Sequence, residues 1–96
     1  MNPRYRVIWK QRIVDIDFPV FVTKAIQLGE DETSIYRAMR EIDQALAFAP
    51  EEQGESRENY ERVLIVSPLS VTFEVFEAEG IVFILSARYS PSHPMQ

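Results

Sequence analysis

The 96-residue chain has no cysteine, a single histidine and only three glycines. Without cysteine there is neither a disulfide framework nor a thiolate metal site. One histidine cannot build the two-histidine zinc motifs, and three scattered glycines form no phosphate-cradling loop. No apolar run approaches the roughly 20 residues that a membrane-spanning helix needs, and the opening stretch MNPRYRVIWK has no signal-peptide apolar segment. These absences lead us to expect a cytoplasmic protein with no metal, no cofactor and no membrane partner. Positive charge is also scarce. Ten Lys and Arg stand against fifteen Asp and Glu, a net charge of −5, whereas nucleic-acid-binding domains usually carry a basic footprint. The basic residues are unevenly spread, however. Arg4, Arg6, Lys10 and Arg12 fall in the first twelve residues, which hold no acid, and the acids gather at 30–32 and 51–61. An acidic chain of this kind can still present a local positive surface.

What the chain does have is apolar patterning. Apolar residues make up 46% of it, enough for a packed core, and the length suits one domain over 1–96 with an irregular tail at about 90–96. Three runs in the second half have strand character: 60–66, 69–76 and 81–88. Ser67-Pro68 separates the first two and Ala78-Glu79-Gly80 the second two, spacers short enough for hairpins, with Gly80 suited to a positive φ. In the middle run Val71, Phe73 and Val75 alternate with Ser70, Thr72 and Glu74, so one face is apolar and the other polar. In the last run residues 81–85 are all apolar, which suits a strand central in the sheet or buried on both sides.

The first half reads as a strand and two helices. Tyr5, Val7 and Trp9 alternate with Arg6, Ile8 and Lys10, a first strand with an aromatic inward face. Apolar residues recur at helical spacing over 11–28, interrupted by Pro19, with Asp17 as candidate N-cap and Gly29 as a stop. Asp31 to Ser34 offers caps for a second helix whose stripe is Ile35, Ala38, Met39, Ile42, Ala45, Leu46 and Ala49, ending before Pro50. Residues 51–59 read as a polar loop. The predicted fold is α+β, in the order β-α-α-β-β-β, with a helical hairpin packed on one face of a mainly antiparallel four-stranded sheet. The apolar face of the middle strand is the surface the helices would cover.

The run Val-x-Phe-x-Val over 71–75, the hairpin after it, and Val-Phe-Ile-Leu-Ser-Ala-Arg-Tyr over 82–89 resemble the RelE/ParE superfamily, the toxins of bacterial type II toxin–antitoxin pairs. The ending Ala87-Arg88-Tyr89 is similar to that of YoeB-type members, and the element order is the superfamily's. The resemblance covers nearly the whole chain. It implies a toxin neutralised by a cognate antitoxin and acting on ribosome-bound messenger RNA or on DNA gyrase, with a homodimer as a further arrangement. For the RNA-cutting branch it implies metal-free cleavage, in which a base activates the ribose 2′-hydroxyl and Arg or Lys side chains stabilise the developing charge. This chain departs from that pattern where the chemistry would sit. The catalytic arginine position of those enzymes falls on Ser70, the lysines of the preceding strand on Glu61 and Val63, and the His-Tyr pair on Ser90-Pro91. Losing one such charge typically costs about 2.7 to 4 kcal/mol of transition-state stabilisation.

Strand parity groups the remaining polar candidates. Arg62, Ser70, Thr72, Ser86 and Arg88 are expected on the sheet face away from the helices, with Arg6, Arg57 and Tyr60 at its margin, an arrangement suited to an anion or nucleic acid. Arg62, Arg88 and Tyr89 are the candidates for any catalytic role. Each has a plainer reading: salt bridges to Glu61 and Glu74 for the arginines, packing for Tyr89, an idle tail residue for His93. A non-catalytic interaction module on the same scaffold, recruiting a partner by strand addition, is the alternative function.

Overall fold

The computed structural model describes residues 4–56 and 60–91. The first strand, β1 (Arg6–Trp9), leads into a helical segment whose turn Ile13–Asp17 has π geometry, followed directly by α1 (Phe18–Gln27). Pro19 explains the irregularity. It cannot donate to the carbonyl four residues back and its ring crowds that carbonyl, so the preceding turn widens. The Phe18 N–H reaches back five residues to Ile13 O. Asp17 is itself helical and makes no capping bond, so the expected N-cap there is replaced by this widened turn. The helix ends at Gly29 (φ +72°), whose N–H donates to Ile26 O at 3.1 Å, while Glu30 N–H donates to Ala25 O at 2.8 Å. This is a Schellman stop, and it requires the left-handed conformation that glycine adopts freely.

The second helix, α2 (Thr33–Phe48), has Glu32 at its N-cap position without a side-chain capping bond, and its first residue is bound instead by Asp31. Its carboxylate accepts from the Thr33 N–H at 3.0 Å and the Thr33 hydroxyl at 2.7 Å, and those bonds hold it below the usual carboxylate range. The expected stripe is borne out: Ile35, Ala38, Ile42 and Leu46 are buried. At the other end of α2, the N–H groups of Arg4 and Tyr5 both donate to Ala47 O at 2.9 Å, tying the start of the chain to the helix terminus.

The remaining strands are β2 (Glu55–Ser56), β3 (Glu61–Val66), β4 (Leu69–Phe76) and β5 (Ile81–Tyr89), in the sheet order β1-β5-β4-β3-β2. Four main strands and two helices make the α+β fold that the patterning predicts. The two-residue β2 lies in the stretch read as loop. Gly54 (φ +68°) sets it against β3, since a Cβ at position 54 would lie 2.0 Å from Val63 O. Only β1 and β5 run parallel; the other neighbours are antiparallel. The β3–β4 turn contains the cis Ser67–Pro68 bond, and the β4–β5 turn uses Gly80 at φ +66°.

The two helices cover one sheet face. Phe73, Val82 and Ile84 are fully buried, with Leu69 and Val71 beside them, against Ile13, Phe18, Ala25 and the α2 stripe. Aromatic contacts join α1 to the sheet: Trp9 to Phe18 at 5.5 Å between ring centroids, Phe18 to Phe21 at 6.0 Å, and Phe21 stacked on Tyr89 at 5.9 Å. No described helix is long and apolar enough to cross a membrane.

Candidate functional site

Among the described residues, no helix covers the other sheet face. Directly opposed residues of neighbouring strands point to the same side, so the register assigns every side chain. Phe73 faces the helices. Its neighbours one residue away, Thr72 and Glu74, face outward, and so do their partners Ser86 and Phe83. Ser70 opposes Arg88 and Thr72 opposes Ser86, which gives two adjacent rungs of hydroxyl and guanidinium groups. Arg88 and Ser86 are exposed, and Ser70 and Thr72 half-buried.

A bulge produces this arrangement. Thr72 pairs with Ser86 and Phe73 with Ile84, so Leu85 has no partner on β4. Without that extra residue, Ser86 and Arg88 would share the parity of Val82 and Ile84 and point into the core. With it, Ala87 and Tyr89 turn inward and Ser86 and Arg88 outward. Bulges re-aim side chains in this way and are common beside functional sites.

Four of the expected binding residues, Ser70, Thr72, Ser86 and Arg88, therefore come together, and Arg62 and Arg6 do not join them. Arg62 opposes Phe73 and lies on the helical face, correcting the expectation that it joins the cluster. One residue of register separates the two faces, and the pairing Arg62↔Phe73 decides it. Its guanidinium donates through Nε to Gln53 O at 3.0 Å and through a terminal nitrogen to Gly54 O at 3.5 Å. Arg62 thus holds the turn before β2 and is not part of the Ser70–Arg88 patch. Arg6 does lie on the open face, opposite Ile81. Five residue steps along β5 separate Ile81 from Ser86, about 16 Å of extended chain, so Arg6 is a distant neighbour. Tyr60 is 90% exposed with φ +65° at the β3 end. Arg57 and His93 lie outside the described residues.

Tyr89 points to the helical face, where it stacks on Phe21. Burial, and secondarily the charge of Glu30, push its phenol up from its ordinary value. Both effects disfavour the phenolate that a general base would need. Its geometry is that of a packing residue.

The residues that strand patterning did not single out are mostly apolar. Ile8 opposes Phe83, and Ile65 opposes Ser70, all on the open face, with Ile65 72% exposed. Glu61 directly opposes Glu74, and Glu74 opposes Phe83. The alternation of β3 marks Ile65 as an outward residue once Leu64 and Val66 are read as inward. Phe83 is hidden in the unbroken run 81–85. The open face therefore carries Ser70, Thr72 and Glu74 along the central strand, an arginine-bearing corner at Arg88, an acidic pair at Glu61 and Glu74, and apolar Ile8, Phe83 and Ile65 on the flanking strands. Such a surface can hold a ligand by shape, one anionic contact and apolar area. Among the described residues no three His, Cys, Asp or Glu side chains gather closely enough to hold a metal ion.

Comparison with protein-family models, with curated proteins and with solved structures finds no significant match for this chain.

Proposed function

We propose that the chain is a toxin-like component of a type II toxin–antitoxin pair, held inactive in the cytoplasm by a cognate antitoxin, and that it acts by binding its target through the open sheet face. The observation that carries this reading is the pair of rungs Ser70–Arg88 and Thr72–Ser86 on the face that no described helix covers, in a fold whose four main strands and two helices run β-α-α-β-β-β with the short β2 added, the element order expected of the RelE/ParE superfamily. Of the two targets the resemblance implies, DNA gyrase suits this surface better than ribosome-bound messenger RNA. Cleavage would need a base and further cations beside Arg88. Arg62 and Tyr89 are turned to the other face, and Glu61 and Glu74 repel phosphate.

The test is induced expression of the chain alone in a bacterial host, beside an Arg88→Ala version. Growth arrest relieved by the substitution, with inhibited supercoiling by gyrase and intact messages, is the expected result. Cleaved messages would restore the RNA branch. Normal growth with soluble, folded protein would favour the alternative of a non-catalytic interaction module, for which the outward Ile65 and Phe83 speak.

A further inference from the structure

The sheet has a second feature apart from its open face: the outer edge of β1. Arg6 N–H donates to Gly80 O at 2.8 Å and Lys10 N–H to Ile84 O at 3.1 Å. In a parallel ladder, residues of that parity face the partner strand and the alternate ones face away. The N–H and C=O groups of Val7 and Trp9 therefore point to the outer side, where no other described strand pairs. An unpaired edge is a template for one more strand.

Beside this edge, on the helical side, lies a groove of about 660 Å³ lined by Val7, Trp9, Val14, Tyr36 and Met39, with Arg40 and Asp43 as its charged members. Val14 and Tyr36 are 47% and 45% exposed. Trp9 forms the wall and is fixed there by its indole N–H, which donates to Asp43 Oδ1 at 3.1 Å. On the opposite side of the same strand stand Arg6 and Lys10, both exposed, with exposed Arg4 and Arg12 at the two ends. An incoming strand alternates its side chains. One set would enter the apolar groove and the other would meet Arg6 and Lys10.

We infer that the β1 edge is a docking site for an extended segment of a partner protein in which apolar residues alternate with acidic ones. Charge selects this occupant over a second copy of the chain. Antiparallel pairing of β1 with itself about Ile8 would oppose Arg6 with Lys10 on one face, and like charges directly opposed are unfavourable. An acidic strand converts the same positions into cross-strand ion pairs. The inference stands apart from the toxin reading, since it uses neither Arg88 nor the open face.

The protein's single tryptophan makes the site observable. Short peptides of about nine residues, displayed as a random library, are selected on the full-length protein. Expected are sequences alternating apolar residues with Asp or Glu, which shift Trp9 fluorescence on binding. Arg6→Glu combined with Lys10→Glu, at two surface positions, should weaken them at least about tenfold and turn the selection toward basic peptides. Val7→Pro removes an N–H that faces outward and leaves the bonds to β5 intact, so it should abolish binding in a folded protein. If that variant fails to fold, the charge reversal carries the test. Selected peptides without an acidic bias, binding unaffected by the charge reversal, or no selection at all would overturn the inference. So would a peptide-free dimer that buries Trp9, which would give the edge to a second copy.

Discussion

Replacing Arg62 by alanine separates the two faces of the sheet experimentally. Arg62 and Arg88 are similar in sequence context, each a cation within a strand, but Arg62 is half-buried on the helical face and Arg88 exposed on the open one. Arg62 donates to Gln53 O at 3.0 Å and, less well aligned in length, to Gly54 O at 3.5 Å. A hydrogen bond from a charged donor contributes about 1.5 to 3 kcal/mol, and removing the donor leaves carbonyls that must find water. The good bond sets the scale and the long one adds little, so Arg62→Ala should cost about 2 kcal/mol. In a domain of this size that lowers Tm by roughly 8 to 16 °C. Arg88→Ala, at an exposed position, should stay within about 0.5 kcal/mol of the parent. Urea denaturation at neutral pH, read by circular dichroism and by Trp9 fluorescence, measures both. Equal midpoints for the two variants would refute the register on which the site is built. The difference also governs the growth assay, because loss of toxicity in Arg62→Ala would report unfolding and not contact with a target.

Phe73 is fully buried, and Phe73→Ala should cost about 3 to 5 kcal/mol; a near-neutral urea midpoint would contradict its place in the core. Gly54→Ala drives a Cβ to 2.0 Å from Val63 O at a positive φ, whereas a Cβ at Gly29 meets nothing within 4 Å. Calorimetry should give a loss of roughly 2 to 4 kcal/mol for the first and about 1 kcal/mol for the second, and equal losses would show that β2 yields freely. The Tyr5 hydroxyl donates to the Glu51 carboxylate, which pushes the phenol up to about 12 and holds Glu51 below its ordinary range. Stability from a raised phenol is full below its unfolded value near 10 and is lost as pH climbs toward 12. Stability from the depressed carboxylate is present above its ordinary pKa and is lost as pH falls through the lowered one. Tyr5→Phe should therefore lie closest to the wild type at the acid and alkaline extremes and farthest from it near neutrality. A difference that does not vary with pH would contradict this contact.

The amino-acid sequence by itself determined the elements, because their signals are local. The α2 stripe, the Gly29 stop and the alternation of Val71, Phe73 and Val75 each depend on residues within two turns or one strand, and each element formed where its pattern lay. Periodicity likewise assigned Ser70 and Thr72 to the outer face. Other features depended on residues far apart in the chain. The outward turn of Ser86 and Arg88 is due to the extra residue Leu85, which is visible only once β5 is laid against β4. The inward turn of Arg62 follows from its pairing with Phe73, and the period-2 pattern of β3 is too weak to choose, since apolar residues occur on both of its faces. The short β2 needed Gly54 to meet Val63 across a loop with no apolar residue to announce a strand. The parallel pairing of β1 with β5, which leaves an outer edge beside a groove on α2, joins the two ends of the chain. Tertiary structure decided which face each polar side chain occupies, because a shift of one residue in register exchanges the faces of a whole strand.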